Sequence, residues 1–291
     1  MSTASDQEYY VPHGTHWPII GSVGLFLSVF GFASYLHGTW SLTPTFVGLA
    51  ILIFMMFGWF GQVIDESMSG LYSDQVDKTY RWSMSWFIFS EVMFFAAFFG
   101  ALYYARAFSI PWLDGASNND ATAQYLWPDF EAAWPLLTVP LSENFQEARQ
   151  AMGAWGLPAL NTFILLTSGL TVTLAHWALK RGDRDWLVYW LFATVALGFG
   201  FVVLQGIEYA HAYEELNLRM DSGIYGSTFY LLTGFHGFHV TMGATMLLVI
   251  MVRCAKGHFT AKNHFAFEAV AWYWHFVDVV WLGLFIFVYW L

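Results

Sequence analysis

Apolar residues run through this chain in long blocks, separated by short polar connections and one long one. A spanning helix rises 1.5 Å per residue and needs roughly 20 apolar residues to cross a hydrocarbon core of about 30 Å. Seven blocks reach that length: Trp17–Leu36, Thr43–Val63, Trp82–Arg106, Trp155–Leu179, Leu187–His211, Tyr225–Val252 and Phe267–Leu291. The sixth and seventh run long, which tilt accommodates. The pattern predicts an all-α integral membrane protein with seven transmembrane helices in a single membrane domain, residues 1–291. A tail and two helices occupy 1–63, and five helices occupy 82–291.

Charged residues between the blocks set the orientation, because Lys and Arg favour the cytoplasmic side. With the N-terminus inside, the inner loops hold Lys78, Arg81, Lys180, Arg181, Arg184, Arg253, Lys256 and Lys262. The outer loops hold Arg106, Arg149 and Arg219, so the count is 8 against 3 of the 11 in the chain. An N-in, C-out topology follows. One outer connection, 107–154, is long and carries Asp114, Asp120, Asp129, Glu131, Glu143 and Glu147. Within it, Ser142 to Met152 is expected to form a short surface helix with Ser142 as N-cap.

Composition agrees with the membrane reading. Hydrophobic residues make up 57% and charged residues 11%, against about 25% charged in a soluble domain. Mean hydropathy is +0.49. The single cysteine, Cys254, excludes an internal disulfide and Cys-based zinc or iron–sulfur sites. A net charge of −10 argues against nucleic acid as a partner. Met1 to Tyr10 is polar and mildly acidic, unlike a signal or transit peptide, so the first apolar helix is expected to direct insertion.

Ionisable side chains at membrane depth cost several kcal/mol, so each is a functional candidate. Glu91 falls near the middle of the third block, His236 and His239 near the middle of the sixth, and His275 and Asp278 near the middle of the seventh. Glu208 and His211 fall toward the outer end of the fifth, and Glu268 at the inner start of the seventh. Glu268, His275 and Asp278 follow at i, i+7 and i+10, one helix stripe. His236 and His239 lie one turn apart and share a face. Glu91 has only Phe87, Phe94 and Phe95 around it in its own helix, so its partner must come from another. Buried carboxyls favour the neutral form, and a neutral, hydrogen-bonded Glu91 is expected.

Glu208-x-x-His211 has the spacing of di-iron carboxylate bundles, with Glu91 and Glu268 as further carboxylates. Such sites use two Glu-x-x-His pairs, and this chain has one; its carboxylates also sit at different depths. Cross-helix hydrogen bonding is the favoured reading, and neither a metal nor a catalytic residue is expected. Heme ligation by His236, His239 or His275 is disfavoured because Phe235, Phe238 and Met242 crowd that helix. Gly169, Gly198, Gly200, Gly234 and Gly237 mark expected close helix contacts.

Particular strings carry a family resemblance. Phe267-Glu268-Ala269 with the run from Ala271 through His275 and Asp278 to Trp281 resembles the last helix of cytochrome c oxidase subunit III. Gly226-Ser227-Thr228-Phe229 with the run Thr233 to Val240 resembles its sixth helix. Ser90 to Phe95 is similar to its third, and Leu160-Asn161-Thr162 with Ala175-His176 to its fourth. The resemblance covers nearly the whole chain.

It implies a subunit without redox chemistry of its own. Hemes and copper belong to partner subunits I and II, which pass electrons from cytochrome c to oxygen while pumping protons. This chain would bind no cofactor beyond phospholipid. Two helices and five would enclose a V-shaped lipid cleft beside subunit I, keep the oxidase active and support proton uptake. Glu91 matches an intramembrane carboxylate near the cleft, with His236 and His239 supplying its polar partners. Arg253 matches a basic residue near a headgroup, a role suited to a guanidinium. Trp59 and Glu66 match positions at the inner end of the second helix. There Asp65 replaces the arginine of many relatives, which puts one headgroup contact in doubt. The acidic loop is larger than in mitochondrial relatives.

Two further expectations follow. His13 and His16, beside the first helix, are placed to collect protons, since histidine titrates near physiological pH; the alternative is an ordinary interfacial role. The acidic loop is placed to steer a basic cytochrome c, or else packs on a neighbouring subunit. A quinol-oxidase or nitric-oxide-reductase accessory subunit and a stand-alone membrane metalloenzyme are the rival readings. A bacterial inner membrane is the expected location, with the mitochondrial inner membrane as alternative.

Overall fold

A computed structural model describes residues 10, 14–140 and 144–291 of the chain. Every regular element among them is helical: α1 (Trp17–Leu36), α2 (Thr43–Met68), α3 (Asp74–Tyr104), α4 (Ile110–Leu113), α5 (Leu157–Arg181), α6 (Arg184–Glu214), α7 (Gly223–Ala255) and α8 (Phe265–Leu284). A π-helical turn at Ala105–Ser109 joins α3 to the short α4, a second at Thr122–Leu126 lies in the long loop, and a third at Phe285–Trp290 completes α8. Seven of these spans are long and apolar enough to cross a membrane. The chain is a multi-pass membrane protein.

The first helix has the bounds its apolar block predicts. Others extend beyond theirs: α2 continues to Met68 and α3 begins at Asp74 rather than near Trp82. Hydropathy misses these turns because they are polar, yet their residues suit helix ends. Asp74 and Asp77 occupy the first turn of α3, where carboxylates complement the helix dipole. Arg81 Nε donates to Asp77 Oδ2 at 2.7 Å, one turn away. Between α5 and α6 the chain reverses in two residues. Gly182 takes the left-handed φ of 75°, and the Asp183 side chain accepts from Trp186 N at 3.3 Å as the N-cap of α6.

Two compact units make up the chain, Met1–Trp82 and Ser83–Leu291. In the first, α1 and α2 form a hairpin closed by small residues. A Cβ on Gly48 would overlap the Ser28 backbone, and one on Gly31 would overlap Thr45. Lipid tails give helices no hydrophobic reason to associate, so close backbone approach supplies the attraction. Rings such as Phe26, Phe54, Phe57 and Phe60 remain exposed on this hairpin, as a lipid-facing surface requires.

In the second unit α5, α6, α7 and α8 pack around Leu165, Leu191, Phe201, Val240, Trp274, Val277 and Trp281, all fully buried. Trp274 is held between glycines, since a Cβ on Gly198 of α6 or Gly243 of α7 would strike its indole. Gly169 has a similar role against Asp278. Gly200 and Gly237 do not, for each faces open space; their expected contacts are absent among the described residues. In contrast to these close approaches, α3 meets α7 and α8 through large rings. Phe94 lies against Phe235, Phe95 against Phe276, and Phe87 against Tyr273.

The surface helix expected over Ser142–Met152 does not form beyond Asn144, which has 3-10 geometry; 145–152 is not helical. Those residues instead strap the long loop to the α6–α7 connection. Arg149 N donates to Leu216 O at 2.8 Å, Asn217 Nδ2 to Glu147 O at 2.8 Å, and Met152 N to Tyr225 Oη at 3.1 Å. Backbone bonds to a partner segment satisfy groups that a helix would have paired locally. Two of the loop's acids serve the loop itself: Asp114 accepts from Ala132 N, and Glu147 from Val139 N.

Candidate functional site

Glu91 finds its partner 148 residues along the chain. Its Oε2 lies 2.9 Å from His239 Nε2 on α7. The other imidazole nitrogen, Nδ1, lies 2.6 Å from the Phe235 carbonyl. A carbonyl only accepts, so Nδ1 carries hydrogen. Nε2 then faces the carboxyl either as a lone pair receiving the Glu91 proton or as the N–H of an imidazolium. Either way one proton lies between the two residues and the pair is neutral as a unit. Phe94, Phe95 and Tyr273 rings surround the histidine. This side-chain hydrogen bond links α3 to α7.

His236 does not join this pair. Successive helical residues turn by about 100°, so positions three apart differ by about 60° in direction. That is enough to send His236 to another helix. Its Nε2 donates to the Val277 carbonyl of α8 at 3.2 Å, and its ring packs on Trp281 and Phe201. Nδ1 is buried without a hydrogen-bond partner.

Glu268, His275 and Asp278 share a stripe of α8, as their spacing predicts, and that stripe faces α5. At one end Glu268 Oε1 lies 3.4 Å from His176 Nε2 and 3.1 Å from His264 Nε2. Further along, His275 Nε2 lies 3.3 Å from Thr173 Oγ1. Asp278 sits against Gly169, where a Cβ would enter its carboxylate. On adjoining faces of the same seam, Trp274 Nε1 donates to Ser168 Oγ and Trp281 Nε1 to Thr162 Oγ1, each at 2.9 Å. Polar groups thus run the length of the contact between two helices otherwise packed by apolar residues.

The carboxylates weighed as a di-iron set do not meet. Glu208 Oε1 accepts from Tyr289 Oη at 2.7 Å, while its sequence neighbour His211 turns to Glu215 at 3.2 Å. Glu91 is occupied with His239 and Glu268 with two histidines. Glu268 thus gathers partners that the sequence did not suggest. His264, four residues before it, offered a local signal in the His-x-x-x-Glu spacing; His176, on another helix, offered none.

Comparison with known proteins bears directly on these strings. The family model for cytochrome c oxidase subunit III matches residues 7–116 and 131–291. The chain belongs to the cytochrome c oxidase subunit III family. A cytochrome c oxidase subunit 3 of Marchantia polymorpha is 40% identical over 100% of this chain and 98% of its own length. Those of Latimeria chalumnae and Bos taurus are 40% and 38% identical, covering 97% and 99% of this chain and 96% and 98% of their own lengths.

Within this subunit III chain, the stretch between the two matched segments falls inside the long acidic loop. The remaining positions singled out from the sequence lie apart from the α5–α8 seam. Arg253, in the last turn of α7, places its guanidinium 4.4 Å from the centre of the Phe259 ring, a cation–π contact. Its Nε is buried without an acceptor. Glu66, near the end of α2, accepts from Gln62 Nε2 at 3.1 Å and Tyr72 Oη at 2.8 Å. Burial and then the Glu66 hydrogen bond push the Tyr72 hydroxyl up from its ordinary range. Trp59 is two-fifths exposed. His16 packs its ring on Trp17 at 4.5 Å. His13 lies outside the described residues.

Proposed function

We propose that this chain is the non-redox accessory subunit of a proton-pumping cytochrome c oxidase, with hemes and copper carried by subunits I and II. It stabilises subunit I, retains phospholipid along its lipid-facing helices and supports proton uptake. The reaction of the assembly is reduction of oxygen to water with electrons from cytochrome c. A bacterial inner membrane is the proposed location, an organellar inner membrane the alternative.

The observation that carries this reading is how the intramembrane acids are closed. Glu91 is paired to His239 and Glu208 to Tyr289, each across helices, while Asp278 packs on Gly169 of α5 with His275 Nδ1 of its own helix 3.8 Å away. A polar group buried in hydrocarbon is costly unless paired; paired across helices, it fixes their register. Such pairs suit a scaffold that holds its shape beside a catalytic neighbour. Arg253, at the end of α7 with an unpaired Nε, has the chemistry to take a lipid phosphate.

Complexes purified with and without this chain test the proposal. Phospholipid phosphorus per complex and the number of turnovers before inactivation are the readouts. Removal of the chain is expected to lower both. Equal lipid content and equal working life would reject the accessory role.

A further inference from the structure

Five side-chain atoms on α5 and α6 are buried with no hydrogen-bond partner among the described residues. They are both amide atoms of Asn161, both of Gln205, and Glu208 Oε2. The three residues are 0%, 5% and 1% exposed, so bulk water does not reach them. Buried polar side chains are as a rule hydrogen-bonded, and each exception calls for a cause.

Helix register brings the three together. Thr171 of α5 and Thr194 of α6 meet at 2.8 Å, and the two helices run antiparallel from the Gly182 turn. Asn161 lies ten residues from Thr171, and Gln205 eleven from Thr194 in the same direction. At 1.5 Å per residue these are about 15 and 16.5 Å, so the two amides stand at one height. Asn161 is also seven residues from Ser168 and shares the face on which Ser168 meets Trp274. Glu208 is one turn beyond Gln205. Trp281 ties the group together: its Nε1 donates to Thr162, next to Asn161, and its ring packs on Tyr289, which donates to Glu208 Oε1 at 2.7 Å.

Nearby hydroxyls cannot close this group, because their hydrogens are committed. Thr233 Oγ1 donates to the Phe229 carbonyl at 2.6 Å, so the hydrogen shared with Tyr209 Oη, 2.7 Å away, comes from the tyrosine. Tyr289 gives its hydrogen to Glu208 Oε1. The Gln205 amide is close enough to influence both tyrosine hydroxyls, yet neither of its atoms is bonded. Gln205 Oε1 and Asn161 Oδ1 thus need donors, while Gln205 Nε2 and Asn161 Nδ2 need acceptors. Two of the five atoms are amide nitrogens, which donate only, so a cation does not suit them. Water both donates and accepts. One buried water makes about three hydrogen bonds, so five atoms call for at least two waters.

The geometry points to a buried water site of at least two molecules, held by Asn161, Gln205 and Glu208 and bridging the start of α5 to the closing turns of α6. The waters extend the Tyr289–Glu208 hydrogen bond into a network spanning three helical elements. The inference rests on these residues alone and not on the proposed accessory role.

The test uses the intact oxidase complex containing this chain, imaged by electron cryo-microscopy at a resolution that shows ordered water. Two or more density peaks are expected between the three residues, about 2.7–3.2 Å from the five atoms. Substitutions that keep volume but remove the amide give an independent reading by sign. With bridging water, Gln205→Met and Asn161→Leu each strand the groups that shared it. The thermal midpoint of the chain within the complex should then fall by about 2 °C or more, and the double variant should lose less than the sum. If the five atoms are simply unpaired, each substitution relieves a buried polar group and raises the midpoint. Should a variant fail to assemble, density in the wild-type complex decides alone. Direct side-chain bonding with no density between the residues, or raised midpoints in both single variants, would overturn the inference.

Discussion

His239 holds Glu91 by one nitrogen and the Phe235 carbonyl by the other, at 2.9 and 2.6 Å. The carbonyl fixes the tautomer, and the tautomer fixes the proton between the two side chains. Removing either partner should therefore expose the other to an unsatisfied burial. Glu91→Ala is expected to destabilise the chain by about 1–3 kcal/mol, the cost of a buried polar group left unpaired. Glu91→Gln keeps a donor toward Nε2 and should cost less. Detergent-denaturation midpoints of both variants check the order; a Gln variant as unstable as Ala would contradict it.

A double-mutant cycle on Glu91 and His239 measures the pair itself. Hydrogen bonds between membrane helices couple by about 0.6 kcal/mol on average and up to about 1.7. A coupling toward the upper end is expected, because the pair links α3 to α7 amid the Phe94, Phe95 and Tyr273 rings. Strict additivity of the two single substitutions would contradict that role.

Glycines divide into two classes by what faces them. Gly169 lies against the Asp278 carboxylate and Gly198 against the Trp274 indole, while Gly200 faces open space. Gly169→Ala and Gly198→Ala should each destabilise by about 1–3 kcal/mol through overpacking. Gly200→Ala should be neutral or stabilising, since Ala gains helix propensity of up to about 1 kcal/mol. Thermal midpoints in one detergent separate the classes; equal losses at all three would refute the assignment.

Tyr72 gives a pH-dependent prediction in the connection between α2 and α3. Burial, then its hydrogen bond to Glu66, then Tyr80, raise its hydroxyl above the ordinary value of 10.0. The folded chain keeps a proton that the unfolded chain releases. Its stabilising contribution is thus complete below about pH 10 and is lost as pH rises past that. Phenolate absorbance, taken as wild type minus Tyr72→Phe, should show Tyr72 ionising after the exposed tyrosines. Glu66→Gln should bring the transition down. Ionisation of Tyr72 together with the exposed tyrosines would contradict the account.

Thr162 and Ser168 extend the same logic to the α5–α8 seam. Thr162→Val removes the acceptor of Trp281 Nε1, and leaving the N–H of this fully buried ring unpaired should cost about 1–3 kcal/mol. Trp281→Phe in the Thr162→Val background should then cost less than in wild type, apart from lost packing. Equal costs in the two backgrounds would show the bond to be unimportant.

Seven spans were legible because continuous apolar length is a local property of the sequence. Their polar ends were not, since Asp74 to Arg81 is helical by capping and ion pairing and not by hydropathy. The stripe of Glu268, His275 and Asp278 followed from helical period alone. The surface it faces did not, because Gly169, Thr173 and His176 sit on another helix and nothing local marks them. Glu91 announced that it needed a partner, while the identity of that partner depended on how α3 and α7 pack. Glu208-x-x-His211 had the spacing of a ligand pair, yet Tyr289 and Glu215 draw its two members apart. Ser142 to Met152 carries the local signals of a helix start, while the bonds that hold 147–152 lie with Leu216, Asn217 and Tyr225, outside any window of sequence.

On the proposed accessory role, the buried acids and histidines hold helices together and carry no electron-transfer group. Heme and copper content, measured with the initial rate of oxygen reduction in complexes with and without this chain, tests it most directly. The account predicts unchanged iron and copper and a retained initial rate that decays sooner. Loss of iron or copper in step with removal of the chain would contradict it.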